Sequence, residues 1–260
     1  MLYQEASDGA LTSRTLNNKF GKGHAMYRKV ALAAVVEVAY GVFTRTWLSR
    51  HFQGVELELL ITALRIVTAA LYWYLFRNLI GARTSSPSSL RTPLVLAGIV
   101  SVLAIPVLFR GWSPGGGIGT AIIFALTSFV VGFREELLYR AVLINLLQPK
   151  YGVLTALIIS TILFTVYHYG TWAVSWLIVS EIVVMSLILG LIYIYSGSLI
   201  AVTLLHATYD AIWFFGPFLP SPIPDIWRPA FLLAGVVCVC LWVIRVRWIA
   251  PVIHAESSSA

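Results

Sequence analysis

The residues able to do chemistry in this chain are few and stand out against apolar surroundings. Gly132-Phe133-Arg134-Glu135-Glu136-Leu137-Leu138-Tyr139-Arg140 puts four charges into seven residues, with apolar runs at 122–131 and 141–147 on either side. A charge kept at mid-bilayer depth is costly and faces a protein interior or a water-filled cavity. Two histidines follow in later apolar segments. His168 closes Phe164-Thr165-Val166-Tyr167-His168, and His206 opens His206-Ala207-Thr208-Tyr209-Asp210. A carboxylate with two imidazoles at this depth has three chemical readings. The first is general-base hydrolysis: Glu135 and His168 bind a water and remove its proton, and His206 with its neighbour faces the developing oxyanion. The second is a divalent metal held by the same Glu and His residues, which would also activate water. The third is a proton relay or ion site of a transporter.

Two observations weigh on these readings. The chain has no His-Glu-x-x-His, which counts against zinc. The hydroxyls nearby, Thr165, Thr203 and Thr208, offer no nucleophile–base pair, which counts against a serine-type mechanism. Helical spacing then divides the charged stretch. Glu136 and Arg140 are four apart and fall on one face, where they can pair; His206 and Asp210 do the same. Glu135 lies about 100° round the helix from Glu136, so the two glutamates cannot do the same job.

The elements that carry these residues are membrane helices. The chain has 260 residues, 59% hydrophobic and 11% charged, with mean hydropathy +0.85; soluble domains carry about 25% charged residues. The expectation is an all-α polytopic membrane protein of one domain, with about eight transmembrane helices around a polar intramembrane cavity. Segments of roughly 20 apolar residues are expected near 27–48, 57–76, 93–109, 118–147, 152–169, 173–195, 198–215 and 230–248. The fourth is long for one span, so a break or tilt is expected near Gly132, with Pro149 and Gly152 ending it. Loops rich in Gly, Pro and Ser fill 77–92, 111–117 and 217–229. Residues 1–26 read as a cytoplasmic tail, 27–250 as the transmembrane domain and 251–260 as a C-terminal tail. No cleavable signal peptide is visible, since the first 27 residues lack an apolar core. Cys238 and Cys240 share an apolar segment and read as packing residues rather than a disulfide or metal pair.

The net charge of +7 is not a nucleic-acid signature, because the basic residues sit scattered at the ends of apolar runs. With eight spans, eleven Lys and Arg fall on the side of the termini and four on the other, which places both termini in the cytoplasm. Glu37, Arg65 and Glu181 are further charges at membrane depth. They read as structural pairs, with Arg65 or Arg134 as candidate partners of Glu181. The site residues have plain structural readings too: a helix-end charge pair for the glutamates, an interfacial histidine for His168, and an interhelical hydrogen-bonding pair for His206 and Asp210.

Taken in order, Glu135-Glu136-x-x-x-Arg140, Phe164-x-x-x-His168 and His206-x-x-x-Asp210 resemble the motifs of the CPBP group, the CAAX-protease and bacteriocin-processing (Abi) family of intramembrane endopeptidases that includes the type II CAAX-prenyl endopeptidases. The first motif alone is weak; three in this order at membrane depth are specific. The resemblance implies a glutamate-dependent peptidase without a cofactor. It implies catalytic roles for Glu135, His168, His206 and Asp210, with Glu136, Arg140 and Phe164 as structural support. The partners it implies are the bilayer and a lipidated or hydrophobic protein or peptide substrate, and no nucleic acid. The third motif ends here in Asp rather than the Asn also found in the family. An ionised Asp210 would repel an oxyanion, so it must be protonated or instead orient His206. Two alternatives stay open at this point: a zinc-dependent protease using the same residues, and a non-catalytic immunity, scaffold or transport protein of the same fold.

Overall fold

The structure, a computed structural model, describes residues 26, 28–80, 99–100, 118–168, 176–215 and 234. Among the described residues there is no strand, and nearly all are helical. The expected third and eighth spans apart from residues 99–100 and 234, the Gly/Pro/Ser-rich loops from residue 81 on, the two cysteines and all but residue 26 of the tails lie outside the described residues; residues 77–80, expected in a loop, are helical.

The chain divides into two compact units, residues 1–77 and 78–260. In the first, α1 (Arg28–His51) and most of α2 (Gly54–Ile80) are each long and apolar enough to cross a membrane. Several of their charged side chains are held within the unit. The Tyr72 hydroxyl donates to Glu37 Oε1 at 2.6 Å, and Lys29 Nζ donates to the Leu75 carbonyl at 2.8 Å. Arg65 Nη1 pairs with Glu58 Oε1 at 2.8 Å, a partner on its own helix. Val35, Val38, Val42, Ile66 and Val67 are exposed, which a helix surface tolerates in lipid.

The second unit holds the candidate site. α3 (Ile118–Glu136) continues directly into a π-helical segment (Leu137–Ile144) and then α4 (Asn145–Tyr151). α5 (Val153–His168), α6 (Trp176–Ser196) and α7 (Leu199–Phe215) follow. Gly152 at φ 82° and Gly197 at φ 67° make the sharp reversals after α4 and α6, a backbone region that disfavours residues with a Cβ. α6 is a further candidate span over Ile178–Ser196, and α5 and most of α7 are shorter apolar helices. The expected boundaries of these helices shift by a few residues.

Two expectations about the fourth segment need correction. The helix does not break at Gly132. It runs on as α-helix to Glu136 and then widens, with the π turns starting at Leu137. The glycine serves instead to let α7 come close: a Cβ there would stand 3.1 Å from the Thr203 carbonyl oxygen and 3.2 Å from the Ala207 nitrogen. Pro149 does not end the helix either, which reaches Tyr151 and stops at Gly152.

The burial pattern is that of a membrane bundle. Ile122, Leu126 and Phe129 on α3, Ile158, Ile162 and Val166 on α5, and Ile200 and Leu204 on α7 are exposed. The bundle interior buries Glu135, Glu136, Arg140, Ser160, Thr161, Thr203 and His206. Apolar stripes outward and polar residues inward suit lipid, where an outward polar face would lose its solvent. The molecule is an all-α, polytopic membrane protein.

Candidate active site

Close packing of α3 on α7 at Gly132 brings the two glutamates against His206, whose Cβ would lie 3.4 Å from a Cβ at residue 132. The glutamates reach this histidine at opposite nitrogens. Nδ1 of His206 stands 2.8 Å from Glu136 Oε1, and its Nε2 stands 3.9 Å from Glu135 Oε2. An ionised carboxylate only accepts, so Nδ1 carries the hydrogen and donates it to Glu136. Nε2 is then turned toward Glu135 on one side and toward Asp210 Oδ2, at 3.7 Å, on the other.

Glu136 also faces Arg140 one helical turn on. Its Oε2 lies 3.1 Å from Arg140 Nε, an ion-pair distance at an angle that does not complete a hydrogen bond. Both side chains are fully buried. The guanidinium is held at its far end by α6, where Nη2 donates to the Ser186 hydroxyl at 3.2 Å and to the Ser186 carbonyl at 3.3 Å. It also lies over the Phe164 ring, 4.6 Å from the centroid. Stacking over an aromatic face and a fork of donors suit Arg rather than Lys at such a site.

Phe164 is the aromatic hub of the arrangement. Its ring centroid lies 5.2 Å from that of Tyr139, 4.4 Å from His168 and 5.9 Å from His206. His168, at the end of α5, bonds back along its own helix: Nδ1 is 2.8 Å from the Phe164 carbonyl oxygen. A carbonyl only accepts, so Nδ1 is the protonated nitrogen, and in the neutral ring Nε2 carries the lone pair. That Nε2 faces Glu135 Oε2 at 3.5 Å. Glu135 Oε2 is buried and accepts no hydrogen bond among the described residues.

Exposure is graded across the cluster. The side chains of Glu136 and Arg140 are 0% exposed, Glu135 5%, His168 14% and Asp210 20%. One end of the cluster is sealed and the other, at His168 and Asp210, opens outward. Beside the open end Arg134 is buried and donates to the Tyr167 hydroxyl at 3.1 Å, with its guanidinium 5.7 Å from that ring's centroid.

The π-helical segment sets this geometry. Its wider turns bury all of Leu137 to Val142, and its opened backbone is partly satisfied from α5, where the Ser160 hydroxyl donates to the Tyr139 carbonyl at 2.7 Å. Such widened turns recur at functional sites because they re-aim side chains without ending the helix. Among the described residues, no group of three or more His, Cys, Asp or Glu side chains is disposed to hold a metal ion. Ser186, Ser160 and the link from Glu136 to His206 have no counterpart in the sequence reading. The first two sit on other helices, and no spacing signal ties them to the motifs.

A buried glutamate–histidine cluster with one open end, set among membrane helices, defines a class of intramembrane site suited to acting on water and a polar bond. The family model described as Type II CAAX prenyl endopeptidase Rce1-like matches residues 117–212, a segment that holds every candidate site residue. The match and the motif resemblance coincide, and over this segment the chain is similar to a family of membrane proteases, which supports peptidase activity. No curated protein and no solved structure matches the chain.

Proposed function

We propose that the protein is a glutamate-dependent intramembrane endopeptidase that hydrolyses a peptide bond in a lipidated or hydrophobic protein or peptide, near its C-terminus or in a membrane-adjacent segment. One observation carries this reading. Glu135 Oε2 and His168 Nε2 face each other at 3.5 Å, and the other nitrogen of His168 is committed to the Phe164 carbonyl. Two acceptors this close repel, and a water seated to one side of the pair can donate one O–H to each.

From that position Glu135 takes a proton from the water while the hydroxide oxygen adds to the substrate carbonyl. The carbonyl becomes an oxyanion on the side of His206 and Asp210, where His206 as an imidazolium, its Nδ1–H held by Glu136, presents an Nε2–H to it. The carbon–nitrogen bond then breaks, and the proton held by Glu135 passes to the leaving amine. Glu136 and Arg140 hold His206 from the sealed end. Hydrolysis needs water at a buried carboxylate, so the open end at His168 and Asp210 is where water and the scissile bond enter.

The similarity to type II CAAX prenyl endopeptidases favours a prenylated C-terminal substrate. The test is cleavage of a prenylated CAAX peptide by the protein in liposomes, compared with Glu135→Gln and His168→Ala. Full activity in either variant sinks the mechanism. Absence of cleavage of both prenylated and unlipidated hydrophobic peptides by the wild type sinks the peptidase reading.

A further inference from the structure

Arg140 is a fully buried guanidinium whose alignment matters, because it faces the same carboxylate that holds His206. Glu136 spends one oxygen on each: Oε1 on His206 Nδ1 at 2.8 Å and Oε2 on Arg140 Nε at 3.1 Å. Moving Arg140 therefore turns the carboxylate, and turning the carboxylate swings the imidazole. Arg140 is steadied by the Phe164 ring on its face and by Ser186 at its far end. The Phe164 contact leaves sliding across the ring open. The Ser186 contact is directional: the hydroxyl and the carbonyl of one residue both accept from Nη2, at 3.2 and 3.3 Å.

Ser186 is fixed in turn. Its hydroxyl lies 3.4 Å from Thr161 Oγ1 on α5, within hydrogen-bonding reach, and it is buried. Among the described residues Nη1 of Arg140 has no hydrogen-bond partner, and the α6 contact supplies the hydrogen bonds that this guanidinium makes. A line of polar contacts thus runs from α6 through Ser186, Arg140 and Glu136 to His206.

We propose that Ser186 is a positioning residue for His206, acting through Arg140 and Glu136. It lies outside all three motifs and on a different helix from both Glu135 and His206. Its removal leaves the ion pair intact but loosens the guanidinium, and the looseness reaches the ring that faces the reacting bond. A misplacement of under an ångström at a reacting group is enough to slow catalysis.

The kinetic arm of the test rests on the peptidase reading. In Ser186→Ala we expect kcat to fall about tenfold, the size set by one hydrogen bond to a charged group, with KM unchanged. Ser186→Thr, which keeps the hydroxyl, is expected to recover most of that loss. The thermal midpoint of the Ala variant should stay near wild type, since the pair of Glu136 and Arg140 remains. Wild-type kcat in Ser186→Ala, a change confined to KM, or a loss that follows the thermal midpoint instead of the hydroxyl overturns the proposal.

The second arm needs no activity and so separates this proposal from the peptidase reading. Diethyl pyrocarbonate carbethoxylates the lone-pair nitrogen of a neutral imidazole, which for His206 is Nε2 because Nδ1 keeps its hydrogen on Glu136, and mass spectrometry locates the site. With the protein in liposomes, we expect the rate at His206 to rise about threefold or more in Ser186→Ala, while the rate at His168 stays constant. That result supports the positioning role even if no peptide is cleaved. An unchanged rate at His206 overturns it.

Discussion

Nδ1 of His206 lies 2.8 Å from Oε1 of Glu136, across the closest approach of two helices and between residues 70 apart in the chain. This contact makes one glutamate of the adjacent pair a holder of the histidine and leaves the other, Glu135, facing His168. The two carboxylates face different partners because a helix turns about 100° per residue.

Glu135 should be needed for chemistry and not for folding. Glu135→Gln keeps the shape but cannot take a proton, so cleavage should fall by about 10²–10⁴-fold, the range of a lost general base. KM and the thermal midpoint in detergent should change little. Steady-state kinetics on a membrane-reconstituted enzyme with a prenylated peptide checks this. Retention of more than a tenth of the activity would mean that Glu135 is not the base.

Glu136 should show the opposite balance. Glu136→Ala leaves the buried Arg140 guanidinium without its counter-charge and His206 Nδ1 without its acceptor. Breaking one side of a buried pair costs about 3–5 kcal/mol. A thermal scan should therefore place this variant well below both wild type and Glu135→Gln. Equal midpoints for the two glutamate variants would contradict the division of roles.

Gly132 is a steric prediction. A Cβ at this position meets backbone of α7 at 3.1 and 3.2 Å, and backbone cannot swing aside as a flexible side chain can. Gly132→Ala should cost on the order of 1–3 kcal/mol by overpacking, and Gly132→Val more. Since α7 carries His206 and Asp210, activity should drop as the helices part. A stable, fully active Gly132→Val protein would show that the close approach is dispensable.

Asp210 tests whether a carboxylate or an amide suits this position. Its Oδ2 lies 3.7 Å from His206 Nε2, where a second negative charge opposes an oxyanion. Asp210→Asn replaces that charge with an amide able to donate, so cleavage should equal or exceed wild type. Asp210→Ala should lose about 10–10³-fold, as loss of an oxyanion-side group does. Inactivation by Asn would show that the carboxylate itself is required.

Chelation separates water activation by the glutamate–histidine pair from activation by a metal. Prolonged treatment with 1,10-phenanthroline should leave cleavage unchanged. Loss of activity that zinc restores would reverse that assignment.

The sequence by itself determined the class of protein and the list of polar residues at membrane depth. A run of apolar segments can be read without tertiary information, because lipid requires each span to satisfy its own backbone. The same holds for pairs four residues apart, such as Glu136 with Arg140, because helical geometry is local. The sequence could not say that Gly132 packs rather than breaks, that the helix widens at Leu137, or that Arg65 pairs with Glu58. Each depends on which neighbour is present, and propensity carries no record of that. Ser186 was silent for the same reason: a serine in an apolar helix has no signature until another helix puts a guanidinium against it. The tertiary structure alone decided which nitrogen of His206 faces which glutamate, since that follows from how far α3 and α7 can approach, and a glycine sets the distance.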